Sequence, residues 1–177
     1  MSARGDVLVR LQGVTRVHGE GERAVRALGP VDLEVEAGEL VAIMGPSGSG
    51  KTTLLQIAGA LDRPTEGRVL VAGSDPTQLS AAERAALLRN ALGFVFQDLN
   101  LLPGLTAAEN VALPLELDGT SVRAAREAGG RALAAVGLEH LSDRFPDDLS
   151  GGEQQRGAIA RAVVGTRRQK HPDEPTG

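Results

Sequence analysis

The eight residues Gly45-Pro46-Ser47-Gly48-Ser49-Gly50-Lys51-Thr52 are the part of this chain whose types and spacing can do chemistry. They fit the pattern G-x-x-x-x-G-K-[ST], in which a glycine-rich turn joins a strand to a helix. Residues lacking side chains let the backbone curl until successive N–H groups converge, which makes a cradle for phosphate oxygens. The N-terminus of the following helix adds its partial positive charge at the same point. A lysine at Lys51 reaches the outer phosphates of a nucleotide, and the Thr52 hydroxyl is a ligand for Mg2+. Lys51 is one of only two lysines in 177 residues, the other being Lys170. An incidental lysine in a glycine-rich turn has no reason to reproduce this spacing between an apolar run and an amphipathic helix. The segment reads as a nucleotide site.

A second group is Leu149-Ser150-Gly151-Gly152-Glu153-Gln154-Gln155-Arg156. Ser150 as an N-cap followed by two glycines leaves a helix N-terminus bare of side chains, able to approach a phosphate closely. Taken alone, an ordinary capped helix fits these residues equally well. Gln97, closing Phe94-Val95-Phe96-Gln97, reads in isolation as a polar residue at a strand end.

Elements must hold these residues in place. Val7, Val9 and Leu11 alternate with Leu8, Arg10 and Gln12, which predicts a first strand. After a polar loop at 19–23, Val31, Leu33 and Val35 alternate with acidic residues, the pattern of a hairpin strand with one wet face. Leu40–Met44 is five apolar residues without alternation, which predicts a parallel strand buried on both faces. Leu54, Leu55, Ile57, Ala58 and Leu61 recur at helical spacing behind the glycines. A short strand is expected over 67–73, a helix from Ser80 to about Leu92 stopped by Gly93, and a further strand over 93–97. Capping-box patterns at Thr106–Glu109 and Ser150–Glu153 open two more helices, the second running to about Val164, and a helix over 124–136 ends at Gly137. The order is that of an α/β core with an inserted helical lobe.

Composition narrows the possibilities. There is no cysteine, so disulfides, thiolate metal sites and cysteine nucleophiles are excluded. With no Tyr or Trp and three Phe, platforms for stacking nucleic-acid bases are nearly excluded. A net charge of −4, from 19 Lys and Arg against 23 Asp and Glu, disfavours a non-specific grip on nucleic acid or an anionic membrane. Apolar stretches fall short of the roughly 20 residues that span a bilayer. The expectation is a soluble intracellular chain that meets a membrane only through a partner.

With both glycine-bearing motifs in view, the sequence resembles the ATP-binding cassette (ABC) transporter ATPases, from Val7 to Gly177. The resemblance implies an α/β P-loop NTPase (RecA-like) core with an N-terminal antiparallel β subdomain and an inserted helical subdomain, its C-terminal strands missing. It divides one incomplete domain into a β subdomain and core over 1–96, a helical subdomain over 97–150, and a signature helix returning to the core over 151–177. It implies ATP and Mg2+ as cofactors. Gly45, Pro46, Ser47, Gly48, Ser49, Gly50, Lys51, Thr52 and Thr53 would hold the nucleotide, with His18 where the family usually places an aromatic ring against adenine. Ser150, Gly151, Gly152, Glu153 and Gln154 would cap the γ-phosphate bound by a second subunit of a homodimer. Thr52, Gln97 and Asp173 would attend the metal, and Gln97 and Glu174 the attacking water, Glu174 as general base. The stretches 19–28 and 97–111 are similar to lipoprotein-release and macrolide-export ATPases. That implies transmembrane permease subunits as partners, no nucleic acid, and a peripheral place on the cytoplasmic face of the inner membrane.

The chain departs from the family in two places. Asp173 and Glu174 need an apolar strand before them, yet Thr166-Arg167-Arg168-Gln169-Lys170-His171-Pro172 carries cations and a proline. A compensated frameshift and a decayed strand both fit normal spacing with the wrong composition. The family also continues into a D-loop and a switch histidine, which these 177 residues do not contain. The alternative to a transporter ATPase is therefore a truncated, hydrolysis-deficient ATP-binding remnant. A soluble ABC protein of DNA repair or translation is disfavoured by the acidic charge and by the 97–111 segment.

Overall fold

Alternation at the N-terminus produces the first paired element. Residues 6–164 are described by the structure, a computed structural model. Strand β1 (Val7–His18) pairs antiparallel with β2 (Val25–Glu36) on one edge and β3 (Glu66–Val71) on the other, in the order β2-β1-β3. Leu11 stands opposite Leu33 on one side and Val69 on the other, so apolar residues match across all three strands. Val31, Leu33 and Val35 are half-buried while Asp32 and Glu34 are exposed, the one-wet-face pattern. A register shift after Gln12 breaks the alternation, and both Val14 and Thr15 become buried.

Helix α1 (Lys51–Ala58) lies against all three strands and buries Ile57 completely. Leu55 and Leu61 remain 57% and 46% exposed. Helix α2 (Ala81–Ala91) opens on a reciprocal cap: Ser80 N–H donates to Glu83, and Glu83 N–H donates to the Ser80 hydroxyl. Two expected strands are absent among the described residues. Segments 40–44 and 93–97 have no regular structure, and Leu40 and Met44 are 96% and 89% exposed. An unbroken apolar run expresses a preference for burial, but a parallel strand exists only where neighbours complete its ladders. No described strand runs beside either segment.

The chain divides into two compact units, Met1–Ala91 and Leu92–Gly177. The second is helical: α3 (Ala107–Leu117), α4 (Val122–Ala135) and α5 (Gly151–Val164) pack on one another. Thr106 caps α3 in a full capping box with Glu109, whose carboxylate also takes a 2.7 Å bond from Arg126 of α4. The core joins Ala107, Val111, Leu133, Leu138, Leu149 and Ala160, with small residues on α3 and α5 letting Leu133 enter from α4. Leu133 is fully buried, and truncation there leaves a void that rigid helices cannot close. Leu133→Ala is expected to lower unfolding free energy by about 2–5 kcal/mol, read from the urea midpoint, with little change in slope.

Candidate functional site

The loop at 45–50 ends where α1 begins. Gly50 is the N-cap with φ +88°, a left-handed conformation that side-chain-bearing residues rarely adopt. A Cβ there would stand 2.5 Å from the Ala27 carbonyl oxygen, so the loop's end lies directly against β2. Lys51, the first helical residue, folds its ammonium over the loop and donates to the carbonyls of Gly45 at 2.9 Å and Pro46 at 2.7 Å. The Ser49 hydroxyl is 3.5 Å away. One cation thus sits at the mouth of a turn whose following amides begin a helix, the arrangement an anionic phosphate requires. Thr52 and Thr53 follow in the first turn of α1. His18 ends β1, exposed, opposite Val25. The hairpin residues 25–27 therefore touch both His18 and the loop's end.

The helical unit carries the other candidates. Gln97 lies in a turn closed by a 3.1 Å bond from Leu99 N–H to the Phe96 carbonyl. Ser150 precedes α5, and its N–H and hydroxyl both donate to the Glu153 carboxylate at 2.7 Å. Glu153 is thereby turned back onto the cap. The Gln154 amide donates to the carbonyls of Pro146 at 2.8 Å and Leu149 at 3.1 Å, so it braces the turn that delivers the chain to the helix. Gly151 and Gly152 are exposed at the N-terminus of α5. Asp173 and Glu174, like the strand expected before them, lie outside the described residues.

Two positions went unnoticed in the sequence. Asn110, fully buried on α3, accepts from Leu102 N–H at 2.7 Å and donates to the carbonyls of Leu102, Leu105 and Thr106. It uses its whole amide to hold the 102–106 loop, as a buried polar group must. Arg161 on α5 binds the carbonyls of Leu99 and Asn100. A polar residue on the buried face of an apolar helix was the available signal for Asn110. Arg161 offered none, since an arginine in a last helical turn normally faces solvent.

A model of the ABC transporter family matches residues 28–177. The chain belongs to that family. It is 50% identical over 171 residues to the macrolide export ATP-binding/permease protein MacB of Marinobacter nauticus, covering 96% of this chain and 26% of that protein. Against the lipoprotein-releasing system ATP-binding protein LolD of Shewanella oneidensis identity is 45% over 172 residues, covering 97% of this chain and 75% of that one. The post-hydrolysis dimer of the ATP-binding cassette MJ0796, bound to ADP and Pi, superposes with a TM-score of 0.82 at 44% identity, over 89% of this chain and 70% of that one. The fold is accordingly the α/β P-loop NTPase fold of ABC cassettes.

Within this ABC cassette, the Ser150 bonds hold the Glu153 carboxyl below its ordinary value of 4.5, the hydroxyl contributing most and the Ser150 N–H next. A carboxyl depressed in the folded state supports the cap above its ordinary pKa and loses that support as pH falls through the lower, folded value. The expected result of an NMR titration is a Glu153 pKa below 4.5 that returns toward 4.5 in Ser150→Ala. An unshifted Glu153 in the wild type would contradict the cap.

Proposed function

We propose that this chain is the ATP-binding subunit of an export or lipoprotein-release ABC transporter, binding and hydrolysing Mg-ATP to drive a membrane permease. The carrying observation is the loop at 45–50: a bare left-handed N-cap against β2, and the Lys51 ammonium held over the turn by two carbonyls. Phosphate oxygens would take over the ammonium from those carbonyls and receive the amides at the start of α1. Thr52, Gln97 and Asp173 offer a hydroxyl, an amide oxygen and a carboxylate, all hard oxygen donors that suit Mg2+. Among the described residues no cluster of three or more His, Cys, Asp or Glu could hold a metal, so the ion would arrive with the nucleotide's own phosphates. Bound there, Mg2+ supplies charge neutralisation on the phosphates. Glu174 would take a proton from the water that Gln97 orients, and His18 would lie flat against adenine.

The exposed glycines at the start of α5 suit a phosphate on another copy's loop, and the similar MJ0796 cassette is described as a dimer. A homodimer with two composite sites follows, each using Lys51 of one copy and Ser150–Gly152 of the other. No helix among the described residues is long and apolar enough to cross a membrane. The place proposed for the chain is peripheral, on the cytoplasmic face of the inner membrane against the permease. The net charge of −4 disfavours nucleic acid as a partner.

Lys51→Ala is expected to weaken ATP affinity at least about tenfold, the loss of one close charge on a phosphate. Unchanged affinity would remove the loop from the site. Glu174→Gln is expected to keep ATP affinity and cut turnover by roughly 10²–10⁴-fold. Undiminished hydrolysis would show that another group is the base. The cations and proline at 166–172 favour one other reading, a chain that binds ATP without turning it over. ATP binding with no concentration-dependent hydrolysis in the wild type would establish it.

A further inference from the structure

The helical unit contains a tie between two parts of the proposed machinery. Arg161, in the last turn of α5, donates from Nη1 to the Asn100 carbonyl at 2.5 Å and from Nη2 to the Leu99 carbonyl at 2.6 Å. Leu99 and Asn100 have φ of +57° and +48°, two consecutive left-handed residues, neither of them glycine. Such a backbone persists where its surroundings hold it. Local bonds run from Leu99 N–H to Phe96 and from Asn100 N–H to Asp98, and the guanidinium is the group that ties the pair to α5. The geometry suits arginine: a planar fork presents two N–H donors side by side, whereas a lysine ammonium is a compact point charge.

The turn so held is the one that carries Gln97, because Leu99 N–H closes it onto the Phe96 carbonyl. The segment meets α5 a second time at its start. Gly93 lies so close to the Ala162 backbone that a Cβ there would collide with the carbonyl oxygen. Residues 93–100 are thus fastened to α5 at Arg161 and Ala162. The opposite end of the same helix is the glycine N-terminus at Gly151, ten residues or about 15 Å away along the axis. A helix of this length moves as a rod, so a displacement at one end arrives at the other.

We propose that Arg161 is a positioning residue: by bridging the Leu99 and Asn100 carbonyls it fastens the Gln97 turn to α5, so that phosphate contact at Ser150–Gly152 sets where Gln97 stands. The proposal rests on the reading of Gln97 and of the α5 N-terminus given above. Burial lowers the Arg161 pKa. The guanidinium nevertheless stays charged at neutral pH, so the tie is not a pH switch.

The test compares the full chain as wild type, Arg161→Lys and Arg161→Ala, by amide hydrogen exchange with and without Mg-ATP, and by ATP turnover. Exchange at Leu99 and Asn100 is expected to rise about tenfold or more in Arg161→Ala and less in Arg161→Lys, with α3 and α4 unaltered and Tm unchanged. Mg-ATP should slow exchange at those two amides in the wild type and not in Arg161→Ala. Turnover should fall roughly tenfold or more at unchanged ATP affinity, since the 45–52 loop is untouched, and Arg161→Lys should recover part of it. Unaltered exchange at residues 99 and 100, or the same Mg-ATP response in Arg161→Ala as in the wild type, overturns the proposal. So does a loss of turnover matched by equal losses of Tm and ATP affinity. A wild type that binds Mg-ATP without turnover counts against the ATPase reading alone, and the exchange response then decides the tie by itself.

Discussion

A glycine-rich turn can bring backbone amides together only where no side chain stands between them, and the first unit packs the 45–50 loop under that constraint. Gly50 meets the Ala27 carbonyl at a separation that leaves no room for a Cβ, so the start of α1 is pressed onto β2. Ile57 then anchors the helix on the sheet face that Val9, Leu11, Val69 and Val71 help to make, all of them buried. The strand register matters for the same reason. A slip of one residue in β1 would turn Val9 and Leu11 away from the helix and withdraw the support beneath the loop.

In the second unit, side chains hold backbone. Asn110 and Arg161 together bind carbonyls of Leu99, Asn100, Leu102, Leu105 and Thr106, a stretch with no regular structure before α3. Loops bear function when a rigid scaffold places them. Here the scaffold is the three-helix core around Leu133 and Val111, and its polar arms fix a loop that hydrophobic packing could not. The caps obey the same logic at lower energy. Thr106 with Glu109, and Ser150 with Glu153, satisfy first donors of α3 and α5.

The match to ABC cassettes and the departures at 166–172 bear on different links of the chain from sequence to function. Fold and phosphate loop depend on residues 6–164, where apolar pattern, caps and glycines agree with one another. On the reading proposed above, turnover would depend further on the two carboxylates at 173 and 174, whose preceding residues are cationic. That reading makes binding and turnover separable.

Much of the fold was legible because its signals are local. Helix starts at Ser80, Thr106 and Ser150, the hairpin alternation at 31–36 and the phosphate-loop spacing each need only a few neighbouring residues to take effect. The apolar runs at 40–44 and 93–97 were legible only as a preference for burial, since a strand is a relation to a neighbour and none is described beside them. Gln154 illustrates the same limit within the candidate site: its place in the motif suggested a ligand, and its amide is engaged by Pro146 and Leu149. The sequence by itself determined where helices begin and which residues can cradle phosphate, through capping and backbone freedom. Tertiary structure alone decided that Arg161 binds the carbonyls of Leu99 and Asn100, in the turn that carries Gln97. Those bonds join side chains to the backbone of residues up to 62 positions away, a contact that no local pattern encodes.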